Sequence, residues 1–464
     1  MTRPWANLTL PAQVAAAILL AGAILSLAVN LPGHLSFDSV IQLAEGRTGL
    51  YGNWHPPVMS WLLGIADAIV PGAGLFVVFD TALLCGSMVT LLWLGPRAGW
   101  AAVAVAGFCV LTPQFLLYPG IVWKDVLFAN ALTAGFVALA VAARFWTNAR
   151  LRFGALAAAG VFLVLAVLTR QNGMAVAPVA AIALGWIAAA NMPGRRMVAA
   201  LAYGGGSLAA VVLVVAAAIW ALDLRVDSET SPATQFRLLQ TYDLAGALAR
   251  DPKLDLGQID DDDPLLARLM RTDAARLYTP ERNDTLVNSA RLQTALQNVD
   301  DATIPAQWRD FVRADPGLYL KIRWDAFRWL LFSPDGLACR PVYAGVSGPA
   351  QQMQILGLAP RKDARDVALT AYADIFVGTP VLSHAAYAVV ALALLILFLR
   401  RRAPADIAMA FLLLAAFAFT ASFFVISIAC DYRYLYALDI ATMAAGFYAA
   451  TTSPRPLRAG SGVG

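Results

Sequence analysis

The stretch NWHPPVMSWLLGIADAIVP, Asn53 to Pro71, decides how this chain is threaded. Its apolar run from Pro56 to Pro71 invites a reading as a membrane span. As a helix, however, it reaches only about 24 Å at 1.5 Å per residue, short of a hydrocarbon core of ~30 Å, and it carries Asp67. If it crosses, every later loop changes sides. If it lies along the surface, none does.

The chain has 464 residues, 59% hydrophobic and 14% charged, with a mean hydropathy of +0.65. That leaves too little polar surface to cover a soluble globule, so the fold class is an all-α polytopic membrane protein. Ten other segments are apolar enough to cross: Gln13 to Asn30, Leu75 to Leu94, Ala101 to Leu117, Val126 to Ala143, Gly154 to Thr169, Met174 to Ala190, Val198 to Leu222, Pro380 to Leu399, Ala405 to Ile428 and Tyr434 to Ala450.

Short cytoplasmic loops carry an excess of Lys and Arg. With Pro56 to Pro71 outside the core, the basic residues fall on one side: Arg3, Arg97, the Arg144, Arg150 and Arg152 group, Arg195 and Arg196, Arg400 to Arg402, and Arg455 and Arg458 of the tail. With it inside, the Arg97 loop and everything after it exchange sides, and the Arg400 triplet lies opposite Arg3. The first parity is therefore adopted. Pro56 to Pro71 becomes an interfacial helix in a long first outer loop, Leu31 to Gly74, with a second amphipathic candidate at Ser36 to Glu45.

Three parts follow. Residues 1–222 form a membrane module with seven spans and the outer loop 31–74; residues 223–379 form a mostly helical outer domain; residues 380–464 form a second module with three spans and a short cytoplasmic tail. The segment after Arg3 has no small-x-small cleavage site and reads as an uncleaved first span. The expected location is a bacterial inner membrane with both termini cytoplasmic. In the outer domain the acidic run Asp260 to Asp263 lacks the glycine and terminal Glu of a calcium loop and reads as solvated. Leu318 to Phe332 mixes Trp324, Phe327 and Trp329 with Lys321, Arg323 and Arg328, the mixture of a helix at headgroup level.

Cys85, Cys109, Cys339 and Cys430 form no CxxC or Cys/His cluster, so neither a zinc site nor a disulfide framework is signalled. The net charge of +4 is scattered rather than collected on a nucleic-acid-binding patch. There is no P-loop or dinucleotide fingerprint.

The polar residues at the outer ends of the spans are more informative. Asp38 and His55 lie in the first loop, Lys124 and Asp125 at the start of the fourth span, Arg170 and Asn172 after the fifth, and Asp431, Tyr432 and Arg433 between the ninth and tenth. Each has an ordinary reading. Asp38 and Asp125 suit helix N-termini, Lys124 and Arg170 could snorkel to headgroups, Asp431 and Arg433 could be a local ion pair, and His55 could be a turn residue before Pro56. Their recurrence on one face, beside apolar or aromatic neighbours, points to a site that holds an anion and needs a carboxylate base.

In order, FDS in the first loop, WHPP before the interfacial helix, WKD entering the fourth span and LTRQNG leaving the fifth resemble the GT-C membrane glycosyltransferases. The likeness is to the bacterial branch with protein-mannosyltransferase-like and lipid A aminoarabinose-transferase-like enzymes. It runs from Asp38 to Asn172 and extends more weakly to YDLAGA at Tyr242 and DYRY at Asp431.

The resemblance implies a polyprenyl-phosphate-linked sugar as donor and a lipid, glycan or protein acceptor on the outer side. It implies Asp38 as general base, Asp125 as its orienting partner or a second candidate, and His55, Lys124, Arg170, Asn172, Tyr432 and Arg433 as substrate-binding residues. Many relatives follow the first-loop aspartate with Glu. Here Ser39 follows, which puts a metal-assisted mechanism in doubt; no cofactor is required and a divalent metal has no support. Two alternatives remain. A lipid-linked polysaccharide polymerase or ligase would use the same kind of donor. A transporter or flippase would place ionisable groups near the midplane, whereas Ala101 to Leu117 and Met174 to Ala190 have uncharged interiors.

Overall fold

The computed structural model describes residues 8–52, 54–95, 98–223 and 232–452. In chain order its principal helices are α1 (Leu10–Asn30), α2 (Phe37–Thr48), α3 (Pro57–Ile69), α4 (Gly74–Leu94), α5 (Trp100–Val110), α6 (Lys124–Arg144), α7 (Ala149–Thr169), α8 (Gln171–Asn191), α9 (Pro193–Leu222), α10 (Pro232–Arg250), α11 (Thr303–Ala314), α12 (Pro316–Phe332), α13 (His384–Arg401), α14 (Pro404–Ile426) and α15 (Tyr436–Thr451). Shorter helices fill the interval between α10 and α11, and only isolated β-bridges are present among the described residues. The protein is all-α and multi-pass.

Among the described residues, 8 helices are long and apolar enough to cross a membrane. The third expected span departs from a single helix: α5 and its continuation Pro113–Gly120 meet at 72°. Pro113 has no N–H to donate and cannot continue the turn before it. The carbonyl of Cys109 is taken instead by the Thr112 hydroxyl at 2.7 Å. The tenth expected span is α15, whose 16 residues reach about 24 Å behind one 3-10 turn, Tyr432–Leu435.

The 18-residue apolar window of helix α6 is buried inside the protein, as expected of a helix at the centre of a bundle. The spans α4, α7, α14 and α15 pack around it. Polar pairs join neighbouring spans: Asp80 Oδ1 on α4 accepts from Asn130 on α6 at 3.0 Å, and Asp439 on α15 bonds His384 on α13 at 2.8 Å. Such bonds hold helices together where lipid gives no hydrophobic drive.

The threading question is answered by the end of α1. Asn30 donates to the carbonyl of Leu116 at 2.8 Å, His34 pairs with the backbone of Gly120 and Val122, and a Cβ on Gly33 would lie 3.1 Å from Val77. The end of α1, the start of α4 and the entry to α6 therefore lie side by side, and the chain between them does not cross. Helix α3, with 13 residues, packs on α2 instead, and Arg47 of α2 grips Asp67 through two hydrogen bonds of 2.6 and 2.8 Å.

Chain order then places Arg144, Arg150, Arg152, Arg195, Arg196 and Arg400 to Arg402 at the opposite end of the bundle. Asp406 is the only acid among the described residues of those connections. Arg3, Arg97, Arg455 and Arg458, which entered the same parity argument, lie outside the described residues.

Between α9 and α13 the chain builds a second core around Tyr242, Met270, Phe311 and Ile322. Three expectations need correction here. The acidic run is exposed at Asp260, Asp261 and Asp262 but is helical rather than a loop: Asp263 accepts from the N–H groups of Leu265 and Leu266 and starts the next helix, and Asp262 accepts from Thr303 Oγ1 at 2.5 Å. Arg323 does not face headgroups: fully buried, it pairs with Asp243 and donates to the carbonyls of Val425 and Ser427 at the end of α14, where a cation suits the helix dipole. Trp324, Lys321 and Arg328 do take the exposed face of α12. Finally, Cys339 and Cys430 are joined in a disulfide across 91 residues of sequence, a pairing that local spacing does not reveal.

Candidate functional site

The site is assembled from the entries and exits of the spans. A short extended segment, Ile121 to Trp123, leads into α6 and runs parallel to His34 in the first loop. It fixes the start of α2, because Ser39 Oγ donates to the Val122 carbonyl at 2.5 Å and the Trp123 indole donates to Ser36 Oγ at 2.9 Å. The first turn of α2 therefore stands over the first turn of α6, bringing Asp38 near Lys124 and Asp125. Neither carboxylate makes a cap hydrogen bond; both are turned towards arginines.

Asp38 Oδ2 accepts from Arg433 at 2.8 Å, and its Oδ1 lies 3.8 Å from His55 Nε2. Asp125 Oδ1 pairs with Arg170 at 2.6 Å, and its Oδ2 is 3.9 Å from Arg433 Nε. Arg433 also reaches Asp431 at 3.3 Å and lies over the Trp123 and Tyr434 rings at 5.1 and 5.5 Å. Arg170 is buried against Phe423 and Tyr434, so it does not snorkel. Aromatic faces on one side and carboxylates on the other hold both guanidiniums flat.

His55 takes a defined tautomer from its partner. Lys124 Nζ is 2.8 Å from His55 Nδ1; as an ammonium it can only donate, which leaves the ring proton on Nε2, facing Asp38 with no hydrogen-bond partner of its own. Burial, and then the adjacent Lys124 charge, push the imidazole down to about 3, despite Asp38 nearby. It is neutral at physiological pH. Asp38 is also lowered, but by charge: burial alone would raise it, while Arg433, His55 and Lys124 bring it down to about 2. Its side chain is still 28% exposed, which makes it the accessible carboxylate of the pair. Burial opposes the charge on Arg433, yet Asp38 and Asp431 outweigh it and raise that group well above an ordinary arginine.

Of the residues singled out in the sequence, Asp38, His55, Lys124, Asp125, Arg170 and Arg433 come together. Two do not. Asn172 spends its amide on Ser422 Oγ of α14 at 2.7 Å. Tyr432 is fully buried, donates to Asp439 at 2.6 Å and accepts from Gln114 at 2.8 Å. Its neighbour Arg433 points to the site while Tyr432 points into the bundle.

The cluster also contains groups the sequence did not identify as site residues. Arg282, from the segment between α10 and α11, donates to Asp431 and to Asp284 at 3.0 Å. The same segment pairs with the backbone of Ile428 and Cys430, and Cys430 carries the disulfide. The loop bearing Asp431 and Arg433 is thus clamped to the second core by a bridge, a covalent bond and an ion pair. No signal in the sequence marks Arg282. Tyr434 was visible in DYRY, but its ring contacts were not. Among the described residues no three His, Cys, Asp or Glu side chains are grouped to hold a metal, and Asp38 faces basic side chains.

Fold and site together define a multi-pass membrane protein with a buried, charge-balanced cluster at one end of its bundle. No protein-family pattern and no curated protein matches the chain. Among solved structures it is similar to the oligosaccharyltransferase AglB of the archaeon Archaeoglobus fulgidus in complex with an inhibitory peptide and a dolichol-phosphate: 16% identity, a TM-score of 0.41, covering 93% of this chain and 50% of that one. The apo form of the Archaeoglobus fulgidus oligosaccharyltransferase gives 16%, 0.41, 94% and 50%. The chain spans about half the length of these proteins. Likeness at that level assigns neither a substrate nor a catalytic residue.

Proposed function

We propose that the protein is an integral membrane glycosyltransferase of the GT-C type. It moves a sugar from a polyprenyl-phosphate donor to a hydroxyl of a lipid, glycan or protein acceptor on the outer face of a bacterial inner membrane. One observation carries this reading: a partly exposed carboxylate, Asp38, stands against a set of basic side chains in which Lys124 meets an imidazole instead of a carboxylate.

In this reading the phosphate of the donor seats on Lys124 and Arg433, with Arg170 behind them. The acceptor oxygen attacks the anomeric carbon, and its proton passes to Asp38. The bond from that carbon to the phosphate oxygen breaks, its electron pair stays on the oxygen, and polyprenyl phosphate leaves. Preorganised cations where negative charge grows are the larger contribution. Asp38 at rest is a weak base because Arg433 holds it. A phosphate that engages Arg433 loosens that pair and makes the carboxylate more basic as the donor binds. Asp125 acts as a positioning residue through Arg170.

The orientation has two supports. The connections at the far end are rich in arginine, as cytoplasmic loops are. The disulfide lies at the charged end, beside Asp431, and disulfides persist on the oxidising side of a membrane. Both termini are then cytoplasmic, and the second core is the place where the acceptor is chosen.

The test is transfer by the purified full-length protein from a panel of polyprenyl-phosphate sugars, with Asp38→Asn beside the wild type. General-base loss predicts a fall of about 10² to 10⁴ in rate. Full transfer by a folded Asp38→Asn protein removes the base assignment. No transfer by the wild type from any member of the panel removes the donor class.

A further inference from the structure

A second feature lies in the other half of the bundle, away from the transfer site. Helices α4 and α7 both pack on α6, leaving between them a crevice of about 410 Å³. Its floor is Val137 and Ala138 of α6, and its walls include Gly86 of α4 and Gly154 of α7. It follows α4 from Ala82 to Trp93, about 17 Å at 1.5 Å per residue, close to one leaflet of a ~30 Å core. Arg150, exposed at the start of α7, lines its mouth, in the connection that also holds Arg144 and Arg152.

We propose that this crevice binds a phospholipid with a net anionic head, one acyl chain lying over Ala138 and the phosphate at Arg150. The length argues for a chain confined to one leaflet, and the volume is that of a ligand pocket. The charge argues for the head: basic pockets between spans at the arginine-rich end take anionic lipid heads. The site does not depend on the glycosyl-transfer reading, since it shares none of the residues used there.

The walls offer a clean perturbation. A Cβ added at Gly86 or Gly154 meets nothing within 4 Å, so leucine at either position enters open space in the crevice rather than displacing a neighbour. The experiment uses full-length protein in mild detergent, given equal amounts of phosphatidylglycerol and phosphatidylcholine with the same chains, and native mass spectrometry to count retained lipid.

Phosphatidylglycerol is expected to be retained about fivefold over phosphatidylcholine, the effect of roughly one basic side chain at a lipid head. Arg150→Gln brings the ratio near one, and Gly86→Leu with Gly154→Leu removes retention of both lipids while the elution profile stays that of the wild type. Equal retention of the two lipids by the wild type overturns the proposal, whatever the variants do. So does undiminished retention in the filled protein, or displacement of phosphatidylglycerol by polyprenyl phosphate that is lost on filling, which would make the crevice a donor-chain channel. If the double variant fails to elute as the wild type, Gly154→Leu alone and the wild-type ratio decide.

Discussion

His34 should make the protein acid-labile, by an amount its surroundings determine. The ring is 1% exposed where the first loop, the entry to α6 and the segment around Gly345 meet. Its Nε2–H donates to Asn30 Oδ1 at 3.1 Å, and its Nδ1 accepts from the Gly345 N–H at 3.1 Å and from Arg361 at 3.3 Å. A second proton on Nδ1 would destroy both accepted bonds. Burial, with Arg361 and Arg365, outweighs Asp366 and brings the group down to about 4.

The unfolded chain, with a histidine near 6.5, binds that proton more readily than the folded one. Stability is therefore intact above about pH 6.5 and falls as the pH drops towards 4. At pH 5 the deficit is about 1.5 units, or about 2 kcal/mol. His55, held near 3, adds about 2 kcal/mol of the same sign. Asp38 contributes nothing in this window, because a depressed carboxylate loses its stabilisation only below its unfolded value, near 3.9. Denaturant titration of the detergent-solubilised protein at pH 7.5 and pH 5 should show the fall. His34→Gln keeps a donor and an acceptor but cannot titrate, and should make the fall smaller by about 2 kcal/mol. A His34→Gln protein with the full wild-type pH dependence would refute the reasoning.

Other perturbations reach separate parts of the structure. Arg170→Leu leaves Asp125 buried without its 2.6 Å partner and should cost about 3 to 5 kcal/mol, seen as lost expression or a lowered unfolding midpoint; a midpoint equal to the wild type would mean the pair is not formed. Cys339→Ser removes a link between residues 91 apart, with an expected loss of about 2 to 5 kcal/mol, and hydrogen exchange should accelerate at 428–433; unchanged exchange there would deny that the bond holds the loop. Trp61, Ile65 and Ile69 form the exposed apolar face of α3, so a spin label at Ile65→Cys should report a shallow depth near the headgroups, and a label at the bilayer centre would restore the reading of this helix as a span.

Much of the architecture was legible because a membrane imposes a strong rule. Backbone polar groups must be satisfied inside each segment, so apolar runs of sufficient length announce themselves, and the arginines decide which run lies outside. That logic kept Pro56 to Pro71 from crossing. It missed the break in the third span because a hydropathy sum treats Pro113 as one more residue, whereas its lost N–H changes the direction of the chain. It missed the disulfide because Cys339 and Cys430 meet only after the second core has folded back onto the loop before α15.

The site was legible for a related reason and only to the same depth. Once the spans are counted, every loop residue belongs to one of two planes, and Asp38, His55, Lys124, Asp125, Arg170 and Arg433 were already in the same plane before any coordinates. What the plane does not give is the rotation of each segment within it. Tyr432 and Arg433 are neighbours in sequence, yet one bonds Asp439 inside the bundle and the other Asp38 in the cluster. Lys124 and Asp125 are neighbours too, and they meet His55 and Arg170 respectively. Direction at that scale is set by packing against Trp123, Phe423 and Tyr434 and by the clamp through Arg282. Those are contacts between residues far apart in the chain, and hydropathy and charge counts carry no record of them.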